Sequence, residues 1–413
     1  MPTVLLVGYD YDSIVFLEEK NIKVDVLYDK WDIKYGDIKE IKDNETRIFV
    51  EEAANATLSL KAVYQYVLTN KHDNFLYDAI FSPFELTIET AGVLTDIFGN
   101  PDNTLNTLQS VNFRDKFVQK TKLRSSLKIT AFSLIPNLET FNITDSDIKF
   151  PNVIKPISGA GTVNTELLNN EKDFLEFKKS LSPDILNFPY MIEEYVDATE
   201  YYVDGYVKNG NVKKFVLSEY TQPALNIKSG KTLGGIALNK YDFSKEYESV
   251  YIILEKVMKL LQYKNGVFHM ELFKESESSD FIFSEIAARP GGGMAKQIFE
   301  KKFGQNLTNI NIQTKLNMNE QLSTEKSDSR YFAFAMIPAL NRHIQLLPSL
   351  SQVQKKFQNV EKLLWEWNPG DPVPDISRSS AERTGMVLIH ADSYIESKTL
   401  LNTCLLYTSP SPR

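Results

Sequence analysis

By type and spacing, the residues of this chain best suited to chemistry are two glutamates and an arginine in the stretch 266–294, GVFHMELFKESESSDFIFSEIAARPGGGM. Apolar runs at 267–273 and 281–288 flank a polar segment, 275–280, too short for anything but a turn, which predicts an antiparallel hairpin. Each run carries one carboxylate, Glu271 and Glu285. Folding about the polar middle sets them nearly opposite, and cross-strand neighbours lie roughly 5 Å apart. Like charges that close repel unless a cation lies between them. Magnesium answers that need, taking one or two carboxylates and completing its octahedron with water and phosphate oxygens. Side chains alternate along a strand, so Glu285, Ala287 and Arg289 share one face, and Ile282, Ile286 and Ala288 the other. Pro290 and three glycines follow; at Gly292 bare backbone can approach a ligand. Metal, guanidinium and amides at one strand end suit the handling of phosphate or a developing oxyanion. The competing reading is an exposed hairpin with two solvated glutamates.

Positioning such a site takes more than one domain, and 413 residues suffice for two or three. The composition, 42% hydrophobic and 24% charged, is that of a globular protein, and a net charge of −8 argues against nucleic acid as a partner. One cysteine, Cys404, excludes an internal disulfide framework and a cysteine-based zinc site. The first residues, MPTVLLVGYD, lack the basic start of a signal peptide, and no apolar run approaches the ~18 residues of a membrane span. A cytoplasmic location is the expectation. Residues 404–413, CLLYTSPSPR, break the preceding pattern and read as a non-native tail.

Runs at 3–7 and 24–28 around a helix at 12–19, with further strands at 47–50 and 77–81 and a helix at 86–98, predict an α/β domain over 1–103 built on a doubly wound parallel sheet. Glu85 falls near its strand ends and reads as a surface residue. Residues 100–103 form a candidate linker. The basic stretch 111–127 has helical spacing and carries Lys116. A strand at 153–155 ends in Lys155 and runs into Ser158, Gly159, Ala160, Gly161 and Thr162, the outline of a phosphate cradle that any tight hairpin also shares. Residues 229–232, SGKT, imitate a P-loop but lack its leading glycine, Leu225 standing there. Strands at 201–208 and 212–220 turn at Asn209-Gly210, and 244–261 is an amphipathic helix. A β-rich segment follows at 331–338, around 368–371 and at 383–390.

With these residues in line, the chain resembles the ATP-grasp superfamily, and within it carboxylate–amine ligases such as the L-amino acid ligases, most strongly from Lys116 to Gly293. The resemblance implies a fold of α/β plus α+β type: the amino-terminal parallel sheet, a two-subdomain ATP-grasp core over 104–315, and a C-terminal β-rich segment over 316–403. It implies that Lys116 and Lys155 hold nucleotide phosphates under the 158–162 loop. In the hinge, MIEEYVDATE, Glu193 leads, Glu194 and Val196 offer backbone to adenine, and Glu200 holds the ribose. Glu271 and Glu285 become magnesium ligands, and Arg289 steadies an acyl phosphate. His269, in the H-x-E pattern of this branch, faces the substrate or is a satisfied hairpin histidine. Ala287 stands where many members have asparagine, which bears on whether one or two magnesium ions bind; manganese is a substitute.

The implied partners are ATP, a small-molecule carboxylate and an amine, with no nucleic acid and no membrane; a homodimer is the default assembly. Two other readings keep the ATP site: an enzyme acting on a nucleotide precursor or bicarbonate, and a nucleotide-binding regulator without turnover.

Overall fold

A computed structural model describes residues 2–35, 38–50, 60–72, 74–101, 104–145, 148–229, 232–276, 278, 280–318, 327–338, 343–373 and 383–408. Gly230 and Lys231 of the P-loop imitation and part of the candidate linker lie outside the described residues.

The amino-terminal strands β1 (Thr3–Val7), β2 (Lys23–Tyr28), β3 (Glu45–Phe49) and β4 (Ala79–Phe81) form a parallel sheet in the order β3-β2-β1-β4. Their aliphatic runs are buried on both faces, as a parallel sheet between helices requires. Strands β5 (Phe132–Ile135), β6 (Asn152–Pro156), β7 (Glu166–Leu168) and β8 (Tyr190–Glu194) make a second, antiparallel sheet ordered β5-β8-β6-β7.

The largest sheet takes β9 (Thr199–Lys208), β10 (Asn211–Tyr220), β11 (Gly234–Ala237), β12 (Gly266–Lys274), β13 (Ile282–Ala287), β14 (Tyr331–Pro338), β15 (Val360–Trp365) and β16 (Arg383–Ala391), in the order β13-β12-β9-β10-β11-β14-β16-β15. Asn209 and Gly210, at φ 54° and 74°, make the turn between β9 and β10, where both central residues need positive φ. The helix Ser244–Leu260 buries Val250, Leu254 and Val257 against one face. On the other face, Leu307 and Ile310 of the helix Leu307–Lys315 join the sheet's core while Ile312 enters that of the amino-terminal domain.

Several expectations need correction. The stretch 111–127 is two helices, Thr107–Asn112 and Lys116–Leu123, because the Asp115 carboxylate accepts from the Val118 N–H and starts the second. The alternation along β13 is broken by a bulge: Glu271 pairs with Glu285 but Leu272 with Phe283, leaving Ser284 extra. Phe283, not Ile282, therefore joins Ile286 and Ala288 in the core. Residues 368–371 form a turn, and β15 precedes them. The final helix, Tyr394–Thr408, runs through the boundary drawn at 404.

Candidate functional site

The hairpin sets Glu271 and Glu285 directly opposite each other, and both side chains stay partly open to solvent. The helix Lys116–Leu123 holds this edge: Gln119 donates to the Ile286 carbonyl at 2.7 Å and accepts from its N–H at 3.0 Å. That clamp fixes the helix that carries Lys116, one turn before Gln119, and Lys120, the residue after it. Lys116 reaches Glu285 at 3.2 Å and donates to the Gly159 carbonyl at 2.9 Å.

Lys155, near the end of β6, is buried with its ammonium 2.5 Å from Glu193 and 3.8 Å from Glu285. Burial opposes its charge, but Glu193 and Glu285 outweigh that and raise its pKa. The other Glu193 oxygen takes Lys120 at 2.8 Å, and Thr130 accepts from Lys120 and donates to Glu193, each at 2.9 Å. Burial lowers the Lys120 pKa despite Glu193. The side chain of Glu193, the residue expected to begin the hinge, is spent on two lysines.

Glu85 is not a surface residue. It is 8% exposed and accepts from Arg289 Nε at 2.9 Å, while its second oxygen meets Arg114 at 3.3 Å. Burial raises its pKa, but Arg289, Lys116 and Arg114 together win and hold it at about 2. Arg114 also donates to the carbonyls of Ser158 and Gly159, so loop and glutamate share one guanidinium.

His269 is buried, with Nδ1 3.2 Å from Asp204 and Nε2 3.5 Å from Glu271. Burial disfavours the imidazolium, yet the Asp204 and Glu271 charges prevail and raise its pKa to about 10. Asp204 also accepts from the Gly291 N–H at 2.6 Å; a Cβ at Gly291 would lie 2.5 Å from the imidazole. The glycine at 291 is what lets the loop pass that closely.

Two adjoining cavities share Glu271 and Glu285. The larger, about 170 Å³, is lined by Lys116, Lys155, Gly159, Ala160, Gly161, Glu193, Glu194, Val196 and Glu200. Glu200 accepts from the Ala224 N–H at 3.0 Å, and burial lifts its pKa to about 7. The smaller, about 130 Å³, is lined by Glu85, His269, Arg289 and Gly292, and also touches Ala160 and Gly161. Ser158 lines neither; its contribution is the carbonyl that Arg114 holds. Among the described residues no group of three or more His, Cys, Asp or Glu could hold a metal ion. Glu271 and Glu285 face each other at the edge both cavities share, a two-carboxylate pair of the kind that suits a cation taking its remaining donors from water and phosphate.

Sequence reasoning missed Arg114, Lys120 and Asp204. The spacing of Arg114, Lys116 and Lys120 along a helix start was a usable signal; Asp204 had none.

Residues 148–298 match the ATP-grasp domain family. The L-arginine-specific L-amino acid ligase of Bacillus subtilis is 26% identical over 312 residues, 74% of this chain and 73% of that protein. The solved L-amino acid ligase of Bacillus licheniformis superposes with a TM-score of 0.75 at 16% identity, covering 98% of this chain and 97% of that one. The carboxyaminoimidazole ribonucleotide synthase of Aspergillus clavatus, solved with ATP, gives 0.68 at 14% identity over 98% and 99%. The three-sheet architecture described above is thus an ATP-grasp fold.

Proposed function

Taking residues 148–298 as an ATP-grasp domain, we propose that this protein is an ATP- and magnesium-dependent ligase that activates a carboxylate as an acyl phosphate and joins it to an amine. The product is an amide of amino acid or dipeptide type, with ADP and phosphate released. One observation carries the reading: two adjoining cavities meet at Glu271 and Glu285, with Lys116 and Lys155 on one side and Arg289 on the other.

Charge dictates the division of labour. The phosphates of ATP repel an incoming carboxylate, so cations must neutralise both before in-line attack, and electrostatic stabilisation of this kind is commonly the largest share of catalysis. Lys155, kept charged by Glu193 and Glu285, and Lys116 at the mouth of the 158–162 loop face the larger cavity, where the phosphates would lie. Glu194, Val196 and Glu200 line the same cavity and suit adenine and ribose. A magnesium ion held by Glu271 and Glu285 would add positive charge between nucleotide and acid. Arg289, fixed by Glu85, faces the acid from the second cavity.

A carboxylate oxygen attacks the terminal phosphorus, and the bond to ADP breaks. The amine nitrogen then attacks the acyl carbon, phosphate leaves, and the nitrogen loses a proton to solvent. No protein nucleophile is needed. Keeping water from the acyl phosphate is the task of the 158–162 loop, which Arg114 and Lys116 hold by its carbonyls.

The test is phosphate release from Mg-ATP with mixed amino acids, with amide products identified by mass. Glu285→Ala should fold and melt near wild type yet show no turnover. Wild-type rates in that variant would refute the metal assignment, and absence of ATP-dependent release from the wild type would refute the ligase.

A further inference from the structure

The smaller cavity is polarised along the largest sheet, and that polarity bears on which acid it receives. Residues 267, 269 and 271 of β12 share a sheet face with Tyr202 of β9, Tyr220 of β10, and Phe334 and Met336 of β14. In strand order, the charged groups His269, Glu271 and Glu285 stand on β12 and β13, at one edge. Beyond them the part of the face that lines this cavity is uncharged: Tyr202 packs on Tyr220 with ring centroids 4.6 Å apart, and Phe334 and Met336 continue the row four strands from β12, while Asp204 and Glu200 of β9 lie outside the lining. The intervening β11 contributes Gly235, where a Cβ would fall 2.2 Å from the Tyr202 hydroxyl oxygen. Leu233 covers the trough.

The carboxylates of this cavity are already committed. Glu85 is held by Arg289 and Arg114, and Glu271 and Glu285, facing each other, are the pair that would hold magnesium. Among the described lining residues, none of the side chains Tyr202, Leu233, Phe334 and Met336 offers a charge to a charged substrate side chain. Desolvating a guanidinium, ammonium or carboxylate against them without a partner is costly, whereas an alkyl chain gains by burial. A cavity of about 130 Å³ also suits a short chain, since one of roughly 150 Å³ accepts benzene in another protein.

We propose that the acid this protein activates carries a short, uncharged, apolar side chain, seated on Tyr202, Leu233, Phe334 and Met336 with its carboxylate toward Arg289. This rests on the ligase reading and sets the chain apart from its arginine-specific relative.

Hydroxylamine in place of the amine isolates the acid: it attacks the acyl phosphate through nitrogen, phosphate leaves, and a hydroxamate forms for any acid that is activated. With Mg-ATP and single amino acids, hydroxamate from valine, leucine or methionine should exceed that from arginine, lysine, aspartate or glutamate by at least about tenfold. Met336→Asp should shift the leucine-to-arginine ratio by about tenfold toward arginine, with retained ATP binding as the control for folding. Equal or faster hydroxamate formation from the charged acids overturns the proposal and leaves the ligase standing. No hydroxamate from any acid overturns the ligase reading and this one with it.

Discussion

The buried trio Lys120, Glu193 and Lys155 makes the sharpest quantitative demand of the structure. Two ammonium groups and one carboxylate leave a net charge of +1 in a volume from which water is nearly excluded. Glu193→Gln keeps the shape and raises the net charge of the trio to +2, leaving Lys120 without its counter-charge and Lys155 with only the more distant Glu285, at 3.8 Å. Breaking a buried pair in this way costs about 3–5 kcal/mol. For a unit of the size of this core, that lowers the melting temperature by roughly 10 °C. Lys120→Met is milder, because Glu193 keeps Lys155 and Thr130, and about 1–3 kcal/mol is expected. The decisive sample is the double variant, which restores +1 and should regain at least half of the Glu193→Gln loss, a non-additivity independent sites do not show. Scanning calorimetry, with circular dichroism as a check on folding, reads all four proteins. A Glu193→Gln variant melting within a degree of wild type, or a double variant melting at or below the Glu193→Gln single variant, refutes the reasoning.

Glu85 predicts an acid sensitivity. Its folded pKa lies below its ordinary 4.5, at about 2, so its stabilising contribution is complete above pH 4.5 and lost as pH falls toward 2. The shift corresponds to roughly 3 kcal/mol, and Glu85→Gln should unfold more readily at pH 7 and lose less additional stability between pH 4.5 and 2, checked by urea titration at each pH. Glu200, its pKa raised to about 7 by burial, becomes fully anionic only above neutrality. If the carboxylate accepts from ribose hydroxyls, ATP affinity measured by calorimetry should rise from pH 6 to 8, and Glu200→Gln should flatten that rise. Gly235→Ala, whose new methyl would meet the Tyr202 hydroxyl and ring, should cost about 1–3 kcal/mol and slow turnover, measured as melting temperature and rate.

The hairpin was readable because its chemistry is local: two apolar runs, a polar turn and one carboxylate in each run fix strand, pairing and opposition together. The parallel amino-terminal sheet was readable for the same reason, its strands β1, β2 and β4 being short, largely apolar runs followed by a helix or turn. The bulge at Ser284 was not, since no glycine or proline marks it and only the pairing with β12 reveals it. Glu85 was misjudged because its partner Arg289 lies 204 residues away, and a glutamate near a strand end carries no local sign of burial. Asp204 sits mid-strand, with Tyr201, Tyr202 and Val203 before it and Gly205, Tyr206 and Val207 after it, 65 residues before the histidine it steadies. Local pattern therefore singled out Glu271, Glu285, Lys116, Lys155 and Arg289, while the groups that hold them in place came into view only with tertiary packing.

The bond between Glu85 and Arg289 joins the turn that follows β4 of the amino-terminal sheet to the segment that follows β13 of the largest one. Chimaeras that exchange the first hundred residues with those of a homologue would have to bring a carboxylate to that same spot, or strand the Arg289 guanidinium in the smaller cavity. Evolution is bound by the same condition: the leading lobe can drift at its outer loops, but the corner that carries Glu85 must change in step with the hairpin it grips.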